Sequence, residues 1–172
     1  MSLTNFTTDR LTLRDWSDDL NDPAKRAALD RALNSVITPP VLAPLPPPLQ
    51  LANEPDPLMR WITDRAAESE VSLICDTASG EILGLLILAI VSDAPAKVHL
   101  GYLFAQPAWG KGYATEVLSG LVAQAAVHAP VTLIGGVAHD NPASARVLTK
   151  TGFARDASQS TSDTDMFVLQ LA

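Results

Sequence analysis

Hydrophobic positions recur along this chain with two different periods, and together these periods predict a mixture of strands and helices. Alternate residues are apolar from His99 to Phe104, and a period of two is typical of a strand with one buried face. Shorter apolar runs bounded by turn residues predict further strands. The predicted strands are residues 8–15, Val71–Cys75, Glu81–Val91, Val98–Phe104, Val131–Ala138, Phe153–Ala157 and Met166–Leu171. One short turn joins the second of these strands to the third, and another, Asp93–Ala96, joins the third to the fourth. Such short connections favour an antiparallel meander.

A spacing of three and four residues between apolar positions predicts four helices. One begins after Gly112, and its apolar face is expected to comprise Ala114, Val117, Leu118, Leu121, Val122 and Ala125. An aspartate or asparagine followed by proline marks the start of each of the others, since that side chain accepts from helix N–H groups and proline fits the first helical position. These pairs are Asp22-Pro23, Asp56-Pro57 and Asn141-Pro142. The helix after Asp22-Pro23 is expected to bury Ala24, Ala27, Ala28 and Ala32. The helix after Asp56-Pro57 is expected to bury Leu58, Trp61, Ile62 and Ala66.

The segment between those two helices is rich in proline. Residues 38–57 hold eight of the 13 prolines of the chain, and this excludes a regular helix or a central strand, because proline lacks the main-chain donor. The favoured interpretation is a stiff connector of extended conformation. The alternative is a loop that shapes the mouth of a substrate site.

The composition indicates one globular domain that spans residues 1–172. Hydrophobic residues make up 47% of the chain and charged residues 18%, which is typical of a folded protein rather than a disordered one. The net charge of −7 argues against nucleic acid or an anionic membrane as a partner, because both bind basic surfaces. The longest apolar run, from Ile82 to Val91, is much shorter than the roughly 20 residues needed to span a bilayer.

Cysteine and histidine usage favours a cytoplasmic protein without a metal centre. Cys75 is the single cysteine, so no internal disulfide forms, and a buried free thiol suits a reducing compartment. The polar opening segment, residues 1–9, lacks the apolar stretch of a secretory signal. The three histidines do not have the spacing of metal ligands.

The most informative stretch is a turn with two glycines, residues 109–116, that opens directly into the helix after Gly112. The N–H groups of the first helical turn have no partner within the helix, and the helix dipole is positive at this end. Glycine lets the main chain approach a bulky anion, because no Cβ intervenes. Turn and helix together predict a phosphate-binding site.

Two motifs of this chain resemble those of the GNAT superfamily of acetyl-CoA-dependent N-acetyltransferases. The first joins Leu100–Phe104 to Trp109–Glu116, and the second joins Asn141–Leu148 to Lys150–Phe153. Together with the opening strand at residues 8–14, they are similar to the RimJ/RimL branch of ribosomal-protein N-terminal acetyltransferases. The resemblance implies an α+β fold with a mixed, mostly antiparallel central sheet of about six to seven strands, about four flanking helices, and splayed central strands.

The same resemblance places acetyl-CoA at the glycine turn, with its pantetheine arm between the splayed strands. The expected cofactor-binding residues are Leu103, Phe104, Trp109, Gly110, Lys111, Gly112, Tyr113, Ala114, Thr115, Asn141 and Ser144. Asn141 would contact the pantetheine amide, and a main-chain N–H near Leu103 or Phe104 would meet the oxyanion. The chain departs from the family pattern at Pro107, where a glutamine or arginine donor is usual, so the phosphates depend on the remaining amides.

The resemblance also implies direct attack of an amine on the thioester, without a covalent enzyme intermediate. Many relatives supply a proton to the departing thiolate from a tyrosine, but the matching position here is Leu148. Ser144 takes that role in the RimJ/RimL-like pattern. His99 and His139 are the two candidates for the general base, because histidine titrates near neutrality. An α-amine needs little help, so a chain of water molecules is the alternative to a histidine base.

Two functions are consistent with these residues. One is an enzyme that acetylates a primary amine, either a peptide N-terminus or a small molecule, as a monomer or homodimer. The other is a catalytically silent acyl-CoA-binding module that keeps the glycine turn. The enzyme is the main hypothesis, and the silent module gains some support from Pro107 and from the histidine at position 99, where relatives often carry an acid.

Overall fold

The computed structural model describes residues 3–93 and 95–172. Residues 1 and 2 of the polar opening segment and residue 94 of the predicted turn lie outside this range. The strands within it are β1 Phe6–Thr7, β2 Leu11–Asp15, β3 Glu70–Asp76, β4 Ile82–Asp93, β5 Ala96–Phe104, β6 Val131–Ala138, β7 Ala154–Asp156 and β8 Thr164–Leu171. The α-helices are α1 Ser17–Asn21, α2 Pro23–Val36, α3 Pro39–Leu42, α4 Pro57–Glu68, α5 Tyr113–Ala126 and α6 Pro142–Lys150. Short 3₁₀ turns occur at Pro47–Leu49 and Gln106–Ala108.

The eight strands join one sheet in the order β1-β2-β3-β4-β5-β6-β8-β7. Neighbouring strands are antiparallel except β5 and β6, which run parallel near the centre. These two strands pair only along Ala96–Leu100 and Val131–Gly135, and then they separate. The rest of β5 pairs with β4 alone, and the rest of β6 pairs with β8 alone. The predicted antiparallel meander and splayed central strands are therefore confirmed, and the splay opens a cleft in the sheet.

The described part of the chain has one strand and two helices more than the sequence predicts. β1 contains only two residues, too few to show a period, and it pairs with β2. The additional helices, α1 and α3, span five and four residues. The expectation that the proline-rich segment contains no regular helix is wrong for α3. Its two prolines occupy the first helical positions, where no main-chain donor is needed.

Each face of the sheet carries its own apolar core. On one face, α5 and α6 pack over residues such as Leu86, Leu100 and Leu133. On the other face, α2, α3 and α4 pack over residues such as Leu85 and Leu103. β4 contributes alternate residues to the two cores, which explains its nearly unbroken apolar sequence. The helix that follows the glycine turn therefore packs on one face, and the proline-rich segment packs on the other.

Two helices bury larger side chains in place of predicted alanines. The buried residues of α2 are Leu29, Leu33 and Val36, and those of α4 are Trp61, Ile62 and Arg65. The predicted core positions that are instead exposed are Ala24, Ala27, Ala28 and Ala66. A leucine or tryptophan removes more apolar surface from water than a methyl group does, so these helices turn their larger residues inward. The face predicted for α5 is confirmed, since its buried residues are Val117, Leu118, Leu121 and Ala125.

The Asp-Pro and Asn-Pro pairs form the predicted helix caps. The Asp22 carboxylate accepts a hydrogen bond from the Ala24 N–H at 2.9 Å. Asp56 caps α4 in the same way. Asn141 Oδ1 accepts from the Ser144 N–H at 3.2 Å. The last of these caps fixes Ser144 in the first turn of α6.

Two consecutive glycines within a strand, here residues 135 and 136, indicate either a bulge or the close approach of another group. The pairing of β6 with β8 is regular through both, so there is no bulge. A Cβ atom on Gly135 would lie 3.2 Å from Cδ1 of Leu148. The close approach of α6 to the sheet is therefore the reason for glycine at position 135.

Replacing Gly84 with alanine should destabilise the protein, because the new Cβ would overlap the main-chain carbonyl of Leu103 in the neighbouring strand. Overpacking of this kind typically costs about 1–3 kcal/mol, and a main-chain neighbour in β5 has little freedom to move. Urea unfolding would measure the loss. Gly136→Ala is the matched control, since its Cβ would meet the end of the flexible Met166 side chain at 3.3 Å. Equal stability of the two variants would contradict this account of the packing between β4 and β5.

Candidate functional site

A cavity of about 490 Å³ lies at the end of β5, between the glycine turn, α5 and α6, and is referred to as the first cavity. The predicted cofactor-binding residues in its wall are Leu103, Phe104, Trp109, Gly110, Gly112, Tyr113, Ala114, Thr115, Asn141 and Ser144. Lys111 is exposed and lies outside this wall. The fold therefore brings together residues that the sequence placed in two separate motifs.

The main-chain N–H groups of the turn are available to a ligand. From residue 110 to residue 115 they have no acceptor in the part of the chain that the structure describes, and the first helical bond is donated by Glu116 to Gly112 at 3.1 Å. Gly110 and Gly112 have φ angles of 72° and 80°, a conformation that residues with a Cβ rarely adopt. Unpaired donors at the positive end of a helix dipole form an anion site, so this wall fits a phosphate group.

Two charged side chains far apart in sequence hold the turn in place. Glu116, in the first turn of α5, accepts hydrogen bonds from Thr8 Oγ1 at 2.5 Å, from the Arg10 N–H at 2.8 Å and from Arg10 Nε at 2.7 Å. Arg10 Nη1 donates to the Lys111 carbonyl at 3.0 Å, and its guanidinium lies 4.5 Å from the centre of the Tyr113 ring. Arg10 therefore connects the start of β2 to both sides of the glycine turn.

The Glu116 carboxylate is ionised in this arrangement. Burial raises its pKa, but hydrogen bonds from Thr8 and Arg10 outweigh that effect, so the pKa lies below its usual range. A carboxyl group whose pKa is lowered by folding stabilises the protein above the pKa of the unfolded state. That contribution is lost as the pH falls through the lowered pKa of the folded state.

The first cavity also has cationic residues in its wall, on α6. Arg146 and Lys150, four residues apart on α6, both line it. The chain as a whole has a net charge of −7, so these cations are a local exception to the acidic composition. Their position fits a ligand that carries more than one anionic group.

A second cavity, of about 470 Å³, lies on the other side of the cleft. Its wall includes residues of α4, of the proline-rich segment and of strands β4, β5, β6 and β8. His99 is half-buried in β5 and belongs to this wall. Pro44 and Leu45 line both cavities, which supports the interpretation of the proline-rich segment as part of a substrate mouth.

The two cavities meet at three polar residues, Tyr102, Asn141 and Ser144, which line both and are called the junction. Asn141 Nδ2 donates to Ser144 Oγ at 3.2 Å, in addition to the cap described above. Tyr102 Oη is buried and has no hydrogen-bond partner of good geometry among the described residues. Burial raises the pKa of the Tyr102 hydroxyl, and the nearby Ser144 side chain partly offsets this rise.

The structure does not bring His139 together with the other candidate residues. It lies outside both cavities, and its Nε2 is 3.3 Å from Asp165 Oδ1, a carboxylate that also binds Arg155 at 2.6 Å. Across residues 3–93 and 95–172, no group of three or more histidine, cysteine or acidic side chains is placed to hold a metal ion. No helix in that range has the length and apolarity needed to span a membrane.

Comparison with known families identifies the protein class. Residues 10–154 match the acetyltransferase (GNAT) domain. The chain belongs to the GNAT acetyltransferase family. No curated protein sequence matches the chain. The predicted recognition of the GNAT superfamily and the α+β fold class are thereby confirmed.

Solved structures of GNAT acetyltransferases share this fold at low sequence identity. An acetyltransferase from Agrobacterium tumefaciens is 22% identical, with a TM-score of 0.67 over 99% of this chain and 96% of its own. An acetyltransferase from Salmonella typhimurium, described as modifying the N-terminal serine of a 50S ribosomal subunit protein, is 16% identical, with a TM-score of 0.70 over 96% and 97% of the two chains. The RimL ribosomal-protein α-N-acetyltransferase in complex with coenzyme A is 17% identical, with a TM-score of 0.66 over 95% and 96%.

Several residues in or beside the two cavities are absent from the sequence prediction. Arg146 and Lys150 share a helix face four residues apart, and that spacing beside the Asn-Pro cap was a usable signal. The Arg10–Glu116 pair had no such signal, because the two residues are 106 positions apart. Tyr102 was visible as an apolar strand position, but its place at the junction depends on the separation of β5 from β6.

Replacing Glu116 with glutamine should lower the free energy of unfolding by about 1–2 kcal/mol at neutral pH, because charge-assisted hydrogen bonds from Thr8 and Arg10 are lost. The difference from the wild type should shrink in acid, where Glu116 itself becomes protonated. Urea unfolding at several pH values would measure this. Asp64→Asn, which removes an exposed ion pair with Arg60, is the control and should have a much smaller effect. A constant difference from neutral pH to acid would show that the charge of Glu116 is unimportant.

Proposed function

We propose that this GNAT protein transfers an acetyl group from acetyl-CoA to a primary amine, by direct attack within a ternary complex. The row of unpaired amides at residues 110–115 is the observation that carries the proposal, because it gives a diphosphate a binding place in a cavity that opens onto a second one. The junction between the cavities is the point at which a thioester and an amine would meet.

The residues of the first cavity suit coenzyme A. The amides of the glycine turn would hold its diphosphate, and the cations Arg146 and Lys150 suit a further phosphate. Beyond Leu100, the side of β5 that faces the cleft has no strand partner, so its main-chain groups there are free for the pantetheine amides and the oxyanion. When bound, acetyl-CoA supplies the activated acetyl group.

The second cavity suits the acceptor. Its wall combines apolar residues of the strands and of the proline-rich segment with His99, Arg65 and Glu68. His99 is half-buried there, so a candidate base lies in the same cavity as an amine acceptor. In this proposal His99 takes the proton from the incoming ammonium group, and His139 has no part because it lies outside both cavities. A peptide N-terminus is the first acceptor to test, because two of the structural neighbours are described as acting on ribosomal proteins. On this reading the chain belongs to the RimJ/RimL-like branch.

An assay with a panel of acceptors tests the function. Purified protein with acetyl-CoA should release free thiol in proportion to an added amine, and mass spectrometry should show a single acetyl group on the product. The panel should contain peptides with different N-terminal residues, amino acids, polyamines and aminoglycosides. A peptide with a blocked N-terminus serves as the matched control for each peptide acceptor.

The same assay separates the enzyme from a silent acyl-CoA-binding module. Binding of coenzyme A would be measured in parallel by calorimetry. If coenzyme A bound and no acceptor in the panel gave turnover, the enzymatic proposal would be abandoned in favour of the silent module. If coenzyme A failed to bind at all, both would be wrong.

Replacing Ser144 with alanine should lower kcat by about 10²-fold, since the departing thiolate loses its proton donor. The affinity for coenzyme A should change little, because the turn amides are untouched. Calorimetry and steady-state kinetics would give the two values. Ser119→Ala, an exposed serine on α5 that lies outside both cavities, is the control. Equal turnover of the Ser144 variant and the wild type would remove Ser144 from the mechanism.

A further inference from the structure

The hydroxyl of Tyr102 is an unsatisfied polar group at the centre of the molecule. Among the described residues, the buried side-chain polar atoms without a partner are Thr38 Oγ1, Arg65 Nε and Tyr102 Oη. Of these three residues, Tyr102 alone belongs to the junction. Burial of an unpaired hydroxyl opposes folding, and phenylalanine would fit the same apolar strand position without that cost. The hydroxyl therefore calls for an explanation other than packing.

The hydrogen bonds of Ser144 leave its proton free. Asn141 Oδ1 accepts from the Ser144 N–H, so its Nδ2 group faces Ser144 Oγ and donates to it at 3.2 Å. An amide nitrogen donates but does not accept, so the hydroxyl proton of Ser144 must point elsewhere. It is available to a group in the first cavity. Once that proton is given away, Ser144 needs another, and Tyr102 carries the other hydroxyl group of the junction, lining the same two cavities as Ser144.

We propose that Tyr102 is a catalytic residue that relays a proton from the attacking nitrogen in the second cavity to Ser144, and thus to the departing sulfur in the first. This inference rests on the proposed acetyl transfer. It differs from the sequence-based mechanism, in which Ser144 acts alone. Many relatives carry their proton-donating tyrosine at the position of Leu148 on α6. The proposal instead gives a function to a tyrosine on β5, on the opposite side of the splay.

The relay balances the reaction. The neutral amine forms a bond to the acetyl carbon, and the carbonyl electron pair moves to oxygen. As that pair returns, the C–S bond breaks and sulfur takes its electrons. The Ser144 hydroxyl gives its proton to sulfur, the Tyr102 hydroxyl gives its proton to Ser144 Oγ, and Tyr102 Oη receives a proton from the attacking nitrogen. The products are an amide and a free thiol, and both hydroxyl groups end as they began.

Two features of its surroundings suit Tyr102 to this role. It contacts both cavities, so a single side chain spans the distance between the acceptor and Ser144. Burial raises the pKa of its hydroxyl, so the group is neutral at physiological pH and holds the proton that it passes on. Because Tyr102 gives up one proton as it receives another, no charged tyrosine forms in the cleft.

Replacing Tyr102 with phenylalanine tests the proposal. The expected result is a fall in kcat of about 10²-fold, with the KM for acetyl-CoA within about twofold of the wild type. The midpoint of thermal unfolding should stay the same or rise, because an unsatisfied hydroxyl has been removed. Ser119→Ala is the control: it removes a hydroxyl outside both cavities and should leave kcat unchanged.

A double variant separates the relay from two independent roles. If the protons pass through Tyr102 and Ser144 in series, Tyr102→Phe with Ser144→Ala should be about as slow as either single variant. Multiplied losses, or a Tyr102→Phe variant that turns over like the wild type, would overturn the relay. A loss of kcat with a lowered unfolding midpoint would also overturn it, in favour of a structural role. Failure of the proposed function would look different, because the wild type itself would then show no turnover.

Discussion

The separation of β5 from β6 is the constraint on which the rest of this site depends. Their main-chain pairing stops after Leu100 and Gly135, although both strands continue. Main-chain groups beyond that point face a cleft, and unpaired groups of this kind need a polar partner. Leu148 of α6 packs against Gly135 where the strands part, which a Cβ at that position would hinder. The first and second cavities therefore lie on either side of a gap in the sheet.

The two sides of this gap are built in different ways. The first cavity includes a glycine turn whose shape depends on positive φ angles and on the Arg10–Glu116 contact, so unpaired main-chain donors lie in its wall beside apolar residues and two cations. The second is lined by proline and aliphatic side chains together with His99, Arg65 and Glu68. Such a division suits a reaction that joins a highly anionic donor to an amine whose charge must first be removed. Pro44 and Leu45 close both sides at once, so the proline-rich segment does more than connect two helices.

Features of this protein that arise from local sequence were predictable, and those that arise from tertiary contact were not. The caps and the glycine turn depend on residues within a few positions of one another, so Asn141 and Gly112 could be placed before the structure was known. Glu116 had many possible cationic partners, and only the fold brings Arg10 to it. His99 and His139 had equal standing as bases in the sequence, because nothing local distinguishes a strand residue in the cleft from a loop residue beside it. α2 shows the same limit, because its regular alanine spacing predicted one buried face and the helix instead buries fewer but larger side chains.

Most of the polar groups without a hydrogen-bond partner that are named above lie in the walls of the two cavities. Residues 110–115 leave their N–H groups unpaired, and two of the three orphaned buried side-chain atoms in the described ranges, on Arg65 and Tyr102, belong to cavity walls. The buried side-chain groups oppose folding, because their hydrogen bonds to water are lost without replacement, whereas residues 110–112 of the turn are exposed to solvent. A ligand that supplies partners binds the folded chain and not the unfolded one, so it adds to the stability of the fold. Under the proposed function, the unpaired donors of the turn and the hydroxyl of Tyr102 are groups whose partners arrive with the substrates.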